Sequence, residues 1–581
     1  MIESINVVIK LLKDYFIDSE DRYIALLLLF CAILSVLGVV FVAAQFASWS
    51  VVFWAALSDM NMPLYMASIQ TFVILTASYI GLSILNDYLV GVLTIRWRNW
   101  LTAKLIVKYT SEEGNNYLDL ERHASEIENP AQRIQEEVVS FVEKTVSLGI
   151  RLLKSVLTAL SFLGQLWVIG GAITIAGITI PGYLVWIAIL YSAVAAGLIH
   201  LVGHLLAPLN NEKQNLEADF RENIDYLGHH AESIAQDHGE EYYQQSLNNN
   251  LRALNENSYR ILGVRINLNA FYSFYEQMSE LTPYILAAPV YFSGGISFGE
   301  FMAIGYAFSQ IQSSLDWFTN SYEDFAQYSV SAKRIVELRN SMSENGLTTT
   351  SKLIAIQNTD SDELSIRNLD IAYPTSSQFM MRQLNLTLRS GENTLIKGPS
   401  GLGKSTLFKV MAGTWKYGSG DVLITNNKRL CFLPQRPSLP NDSLKAVLAY
   451  PESADTYTTE QCEAVLREVG DFDKYIGALN TKAAWSKRLS LGQQQRLSFA
   501  RALLKQPDWL FLDEATASLD EDSEYRMYRL VKDKLPNTTF VSIAHRSTVT
   551  PFHNRVLTFS VDEYRVMHLG DEQTLMRSAG Y

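Results

Sequence analysis

The chain has 581 residues, too many for one hydrophobic core, so two or three domains are expected. Hydrophobic residues make up 48% and charged residues only 19%, which excludes a disordered chain and points to a membrane protein. A formal net charge of −12 argues against a nucleic-acid partner, and three cysteines suggest neither a disulfide framework nor a zinc site.

At the start of the chain, Val8, Leu11, Leu12 and Tyr15 recur at helical spacing, with Lys10 and Lys13 between them. This predicts an amphipathic helix lying along the membrane interface rather than a cleaved signal peptide. Three windows then contain no Lys or Arg: residues 23–95, 155–212 and 266–332. Each holds two apolar spans, placed at about 24–47, 66–92, 154–178, 181–205, 269–292 and 297–320. The short connections 171–182 and 293–298 lack basic residues, whereas segments 96–154 and 213–265 carry nine and five. The positive-inside rule puts the N-terminus, both long segments and everything after the last span on the cytoplasmic side of an inner (cytoplasmic) membrane.

Several spans carry polar residues: Asn86 and Asp87, Gln165, His200 and His204, and Asp316. For Asp87, His204 and Asp316 an interfacial packing role weighs as much as a functional one. Glu276 and Glu280 stand four apart among Phe274, Tyr275, Met278 and Leu281, hence on one helical face. Intramembrane carboxylates face a bundle interior or a water-filled cavity, so both are expected to line a substrate cavity. Residues 341–362, rich in Ser, Thr, Asn and Asp, read as a linker. They separate a membrane domain, 1–340, from a second domain, 363–581.

The second domain contains Gly398-Pro399-Ser400-Gly401-Leu402-Gly403-Lys404-Ser405, a phosphate loop between a short strand and a helix beginning at Thr406. Backbone N–H groups of such a loop converge on the phosphates of ATP, the lysine adds a point charge, and the Ser405 hydroxyl can ligate Mg²⁺. Further on, Trp509-Leu510-Phe511-Leu512-Asp513-Glu514 is a buried strand ending in two carboxylates, one for Mg²⁺ (Asp513) and one to polarise the attacking water (Glu514).

Leu489-Ser490-Leu491-Gly492-Gln493 resembles the LSGGQ signature of the ABC superfamily. The resemblance implies roles for other residues. Tyr373 would stack on adenine, Gln435 would be the Q-loop glutamine that contacts Mg²⁺, and Ser518-Leu519-Asp520 would be the D-loop. His545 would be the switch histidine at the γ-phosphate. Ser490, Gly492 and Gln493 would act in trans, on the ATP bound to the partner subunit. Leu491 replaces the first glycine of the signature and removes one easy backbone conformation.

The fold implied is an α-helical transmembrane domain of six spans, of the exporter (type IV) kind, followed by an α/β phosphate-loop cassette. One copy of each makes a half-transporter, so two complete ATP sites require a homodimer in the lipid bilayer. Thr94-Ile95-Arg96-Trp97-Arg98-Asn99-Trp100-Leu101 and Asn129-Pro130-Ala131-Gln132-Arg133-Ile134 resemble the D-type ABC transporters. Within that group, Pro283-Tyr284-Ile285-Leu286-Ala287-Ala288-Pro289 is most similar to the BacA-related and YddA-like bacterial branch. That branch implies ATP-driven uptake of hydrophilic solutes such as peptides or cobalamin. The rival readings are export of a lipid, acyl-CoA or drug, and an ATP-gated channel or regulator.

Overall fold

The computed structural model describes residues 2–111, 117–118, 120, 129–170, 172–175, 178–342, 354–374, 378–426, 428–562 and 565–571. The chain divides into two units, Met1–Tyr109 with Asn129–Asn340, and Thr110–Glu128 with Ser341–Tyr581.

The first unit is helical: α1 (Ile2–Phe16), α2 (Arg22–Ser58), α3 (Met62–Tyr109) and α4 (Val138–Ile169). A hairpin of β1 (Ala172–Ile175) and β2 (Ile178–Pro181) follows. Then come α5 (Tyr183–Gly203), α6 (Leu206–His229), α7 (Ala231–Gln236), α8 (Glu240–Phe292), α9 (Phe298–Asn320) and α10 (Tyr322–Ser341). The amphipathic α1 forms as predicted, and its apolar side is anchored on α3: Leu11 and Tyr15 are buried, and Tyr15 stacks on Trp97 at 5.3 Å. Phe162, Leu166, Leu184, Ile304, Phe308 and Ile311 form the core between α4, α5 and α9. At one close approach, a Cβ on Gly299 would lie 2.2 Å from the Val51 carbonyl oxygen, so only glycine lets α9 start against α2. Asn86 clasps α3 to α2, donating to Ala32 O at 3.1 Å and to Ser35 Oγ at 2.8 Å. Leu27, Phe30, Leu34 and Phe41 stay exposed along α2, as a helix solvated by lipid requires.

Three helices among the described residues are long and apolar enough to cross a membrane: Arg22–Ser58, Met62–Tyr109 and Pro130–Ile169. The expected count of six is therefore not reached on apolarity. The expected third span, 154–178, stops at Ile169, and the connection that follows is the β1–β2 hairpin. The fourth contributes a shorter apolar stretch, Tyr183–Ala195. The fifth and sixth coincide with the end of α8 and with α9 but are diluted by Glu276, Glu280, Gln310, Gln312 and Asp316. At 1.5 Å per residue, the 53-residue α8 is roughly 80 Å long, so most of it extends beyond a bilayer core of about 30 Å. A row of ion pairs joins the start of α4 to α10: Lys144–Asp324 at 3.2 Å, Arg151–Asp324 at 3.1 Å and Glu137–Arg334 at 2.6 Å.

Among the described residues the second unit contains two large sheets and a two-residue ladder pairing Asp442–Ser443 with Lys482–Ala483. One has four strands: β3 (Ala355–Thr359), β4 (Glu363–Ala372), β5 (Phe379–Arg389) and β7 (Gly418–Thr425), in the order β3-β7-β4-β5. β3 lies inside the segment expected to be a linker, so the cassette sheet begins earlier than its composition suggests; residues 343–353 of that segment fall outside the described residues. The other sheet contains β6 (Thr394–Lys397), β8 (Leu430–Leu433), β9 (Trp509–Asp513), β10 (Thr539–Ile543), β11 (Arg555–Val561) and β12 (Met567–Asp571). Its order is β12-β11-β6-β10-β9-β8, parallel except for β12. β9 and β10 are apolar on both faces, the pattern of a parallel sheet covered by helices. Those helices include α11 (Lys404–Met411), α12 (Leu444–Ala449), α13 (Thr459–Val469), α14 (Leu491–Lys505) and α15 (Glu521–Lys534). Phe511 stacks on Phe432 at 4.6 Å and meets Phe408 edge-on at 5.2 Å, fixing α11 over the sheet. The ends of β6, β8, β9 and β10 thereby gather at one edge, the usual ligand position of such a sheet.

Candidate ATP site and membrane carboxylates

The chain turns from β6 into α11 through Gly401 (φ 83°) and Gly403 (φ 82°), conformations that admit glycine without strain. In a loop of this kind the backbone N–H groups face a bound phosphate, and the helix N-terminus adds a positive dipole. Lys404 is nearly buried, and its Nζ donates to Gly398 O at 2.7 Å and Pro399 O at 2.8 Å. Burial lowers its pKa, opposed by the nearby Glu514 and Asp513. The Ser405 hydroxyl donates to Asp513 Oδ1 at 2.8 Å. Burial raises the Asp513 carboxyl, while the Ser405 hydrogen bond pulls it down. Hydroxyl and carboxylate oxygens converging beside a phosphate cradle are the hard donor set that Mg²⁺ prefers, so the residues fit Mg²⁺ and ATP.

Glu514 follows β9 with φ 47°, a left-handed conformation that is unfavourable by about 1–2 kcal/mol for a non-glycine residue. Its N–H is held by Ile543 O at 3.0 Å. The carboxylate sits between two residues that sequence alone could not place together. Gln435 Nε2 donates to Glu514 Oε2 at 2.9 Å, and His545 Nε2 lies 3.2 Å from Glu514 Oε1. Ser400 is exposed on the loop and Thr406 half-buried in the first turn of α11. Tyr373 is exposed just past β4, with its N–H on Gln378 O at 3.1 Å.

Ser490 caps α14. Its Oγ accepts from Gln493 N at 3.2 Å, and the Gln493 side chain accepts from Ser490 N at 3.1 Å. Leu491 is the first helical residue, exposed, and neither it nor Gly492 has positive φ. The expected conformational loss at Leu491 therefore does not arise, because that position is ordinary helix. Gly492 is the constrained one: a Cβ there would lie 3.3 Å from both Leu519 Cδ2 and Ser518 O. Asp520, expected to meet nucleotide, caps α15 by accepting from Ser523 N at 2.8 Å, and this bond lowers its pKa.

Sequence reasoning missed Gln495, Arg546 and Glu524. Gln495 is fully buried and bonds to Gln435 O and Ser518 N. Arg546 donates to Leu519 O at 2.6 Å. Buried Glu524 accepts from Thr516 Oγ1 at 2.6 Å and from Thr548 Oγ1. Each is a polar residue one or more positions outside a recognised motif, so only the fold reveals its partners.

In the first unit, Glu276 and Glu280 do share a face of α8, exposed and beside the buried stripe of Tyr275 and Ser279. Glu280 accepts from Gln277 Nε2 at 3.4 Å. Asp316 is half-buried and accepts from Tyr275 Oη at 3.3 Å. The His200 side chain lies outside the described residues.

The family described as ABC transporter transmembrane region 2 matches residues 11–292, and the family described as ABC transporter matches 381–517. An uncharacterised ABC transporter ATP-binding protein of Synechocystis is 31% identical over 81% of this chain and 70% of its own length. The chain belongs to the ABC transporters. Its branch is the D-type one. The Escherichia coli inner membrane ABC transporter ATP-binding protein YddA is 29% identical, over 93% of this chain and 94% of that one. The human lysosomal cobalamin transporter is 25% identical over 81% of both. Among solved structures, a bacterial Atm1-family ABC exporter with ATP bound superposes with a TM-score of 0.71 over 96% of both chains at 16% identity, a likeness of fold. The transporter is thus a multi-pass membrane protein whose ATP hydrolysis is coupled to transport, with ATP and Mg²⁺ as cofactors.

Proposed function

We propose that the transporter works as a homodimer in the inner membrane, with six spans per subunit and cytoplasmic cassettes, and takes up hydrophilic solutes such as peptides or cobalamin. The observation that carries the reading is the pair Glu276 and Glu280, exposed together on one face of α8. Turned to lipid, each carboxylate would cost about 3 kcal/mol, so the face is best accounted for as the wall of a watery path between two subunits. Carboxylates there favour polar, often cationic cargo over lipid. The human relative is named for cobalamin, which supports a bulky hydrophilic solute.

In the cassette, Lys404 and the loop amides of Gly398, Ser400, Gly401 and Gly403 hold the phosphates, with Thr406 beside them, and Tyr373 offers its ring to adenine. Ser405, Asp513 and Gln435 would hold Mg²⁺, which would offset the charge on the phosphates. ATP would supply the γ-phosphoryl group, which passes to water as the bond to the β-phosphate breaks and ADP leaves. Glu514 takes the proton from that water or orients it, and His545 and Gln435 fix the carboxylate for the task. Ser490, Gly492 and Gln493 of the partner subunit close the site.

Flux of labelled cobalamin and of a cationic proline-rich peptide into proteoliposomes of defined orientation tests the reading. ATP-dependent movement from the outer to the cassette side is expected. Movement of a lipid or drug in the opposite direction, with none of the hydrophilic solutes, would replace it with export.

A further inference from the structure

We infer that Gln495 and Arg546 are positioning residues that tie the D-loop to the two side chains gripping Glu514. The inference rests on the cassette alone and is independent of the cargo. Gln495 is completely buried, and both ends of its carboxamide are used. Nε2 donates to Gln435 O at 2.9 Å, and Oε1 accepts from Ser518 N at 3.0 Å. The partners impose this orientation, because the flipped amide would set N–H against N–H and oxygen against oxygen. Arg546 grips the next residue, donating to Leu519 O at 2.6 Å. On the third side Gly492 packs against Ser518 O, leaving no room for a Cβ to move freely.

Each handle leads back to Glu514 in one step. Gln495 holds the backbone of Gln435, whose side chain bonds Glu514 Oε2. Arg546 is the chain neighbour of His545, whose Nε2 faces Glu514 Oε1. A shift of Gln435 or His545 at the hydrolytic carboxylate therefore displaces residues 518–519 through short, directional bonds rather than through soft packing. The D-loop conformation thus follows the state of the site.

The test uses the full-length transporter in detergent, with Gln495→Met, which preserves length and apolar packing, and Arg546→Gln on a partly exposed side chain. For each, kcat for ATP hydrolysis should fall about tenfold or more while affinity for a fluorescent ATP analogue stays within about threefold and Tm is retained. The double variant should be little worse than the worse single one, because both act on one element. If Gln495→Met lowers Tm, Gln495→Glu takes its place: it keeps the acceptor for Ser518 N, loses the donor to Gln435 O, and should still lower kcat. Wild-type kcat in the single variants, losses that multiply in the double, or affinity falling in step with kcat would overturn the inference.

Discussion

The two carboxylate pairs of this transporter sit in opposite physical settings. In the cassette, Asp513 and Glu514 are surrounded: Ser405, Gln435 and His545 each meet one of their oxygens within 3.2 Å. On α8, Glu276 and Glu280 are exposed, and Gln277 meets Glu280 at 3.4 Å. The first pair is preorganised inside one cassette and needs ligand and partner only to complete it. The second keeps an exposed side that lipid, water or a second subunit must cover. Chemistry that must be the same in every cycle is built from short bonds, whereas the surface proposed to meet cargo is left open.

The largest test of the preorganised side is Glu514→Gln. The amide keeps the shape but cannot accept the proton, so ATP turnover should fall at least about 100-fold with ATP still bound. Measured phosphate release close to wild type would remove Glu514 from its role. Lys404→Ala should act earlier, weakening ATP affinity by about tenfold or more, read by titration with a fluorescent analogue. Unchanged affinity would mean that the loop amides alone hold the phosphates.

A third, smaller effect concerns stability. His553 is half-buried, its ring bonded to Ser542 Oγ and Val549 O at 2.8 Å. Burial lowers its pKa to about 4, against which the Val549 carbonyl acts. The folded value lies below the unfolded one of about 6.5, so the unfolded chain binds the extra proton first. Stability is full above pH of about 6.5 and is lost as pH falls towards 4, by up to about 3 kcal/mol. His553→Gln should flatten the slope of cassette Tm between those pH values, and an unchanged slope would assign it elsewhere. The smallest effect expected is at the signature. Because Leu491 occupies ordinary helix, Leu491→Gly should change kcat by less than about threefold, while Gly492→Ala, pressed on Ser518 and Leu519, should do more harm.

The contrast also explains what could be read from the sequence. Glycines at fixed spacing, Lys404 and the apolar strand before Asp513 announce themselves because phosphate and Mg²⁺ chemistry tolerates few alternatives. The amphipathic α1 was legible from Leu11 and Tyr15 for the same reason that Trp97 buries it. Gln495 was not legible: a buried glutamine is defined by two backbone groups, Gln435 O and Ser518 N, far away in sequence. The end of the third span at Ile169 was misread because Ile173, Ile175, Ile178 and Ile180 are as apolar as a span, yet β-branched and broken by Gly177, and form a hairpin. β3 was taken for linker because its residues are polar and largely exposed at the sheet edge.

The central claim is that the cassette supplies energy while the exposed α8 face selects cargo. It is tested by measuring ATPase and uptake side by side, in one proteoliposome preparation, for wild type and the double change Glu276→Gln with Glu280→Gln. The predicted result is ATPase within about twofold of wild type and uptake of the cationic peptide down by about fivefold or more. Uptake at the wild-type level, or ATPase and uptake falling together, would contradict the account.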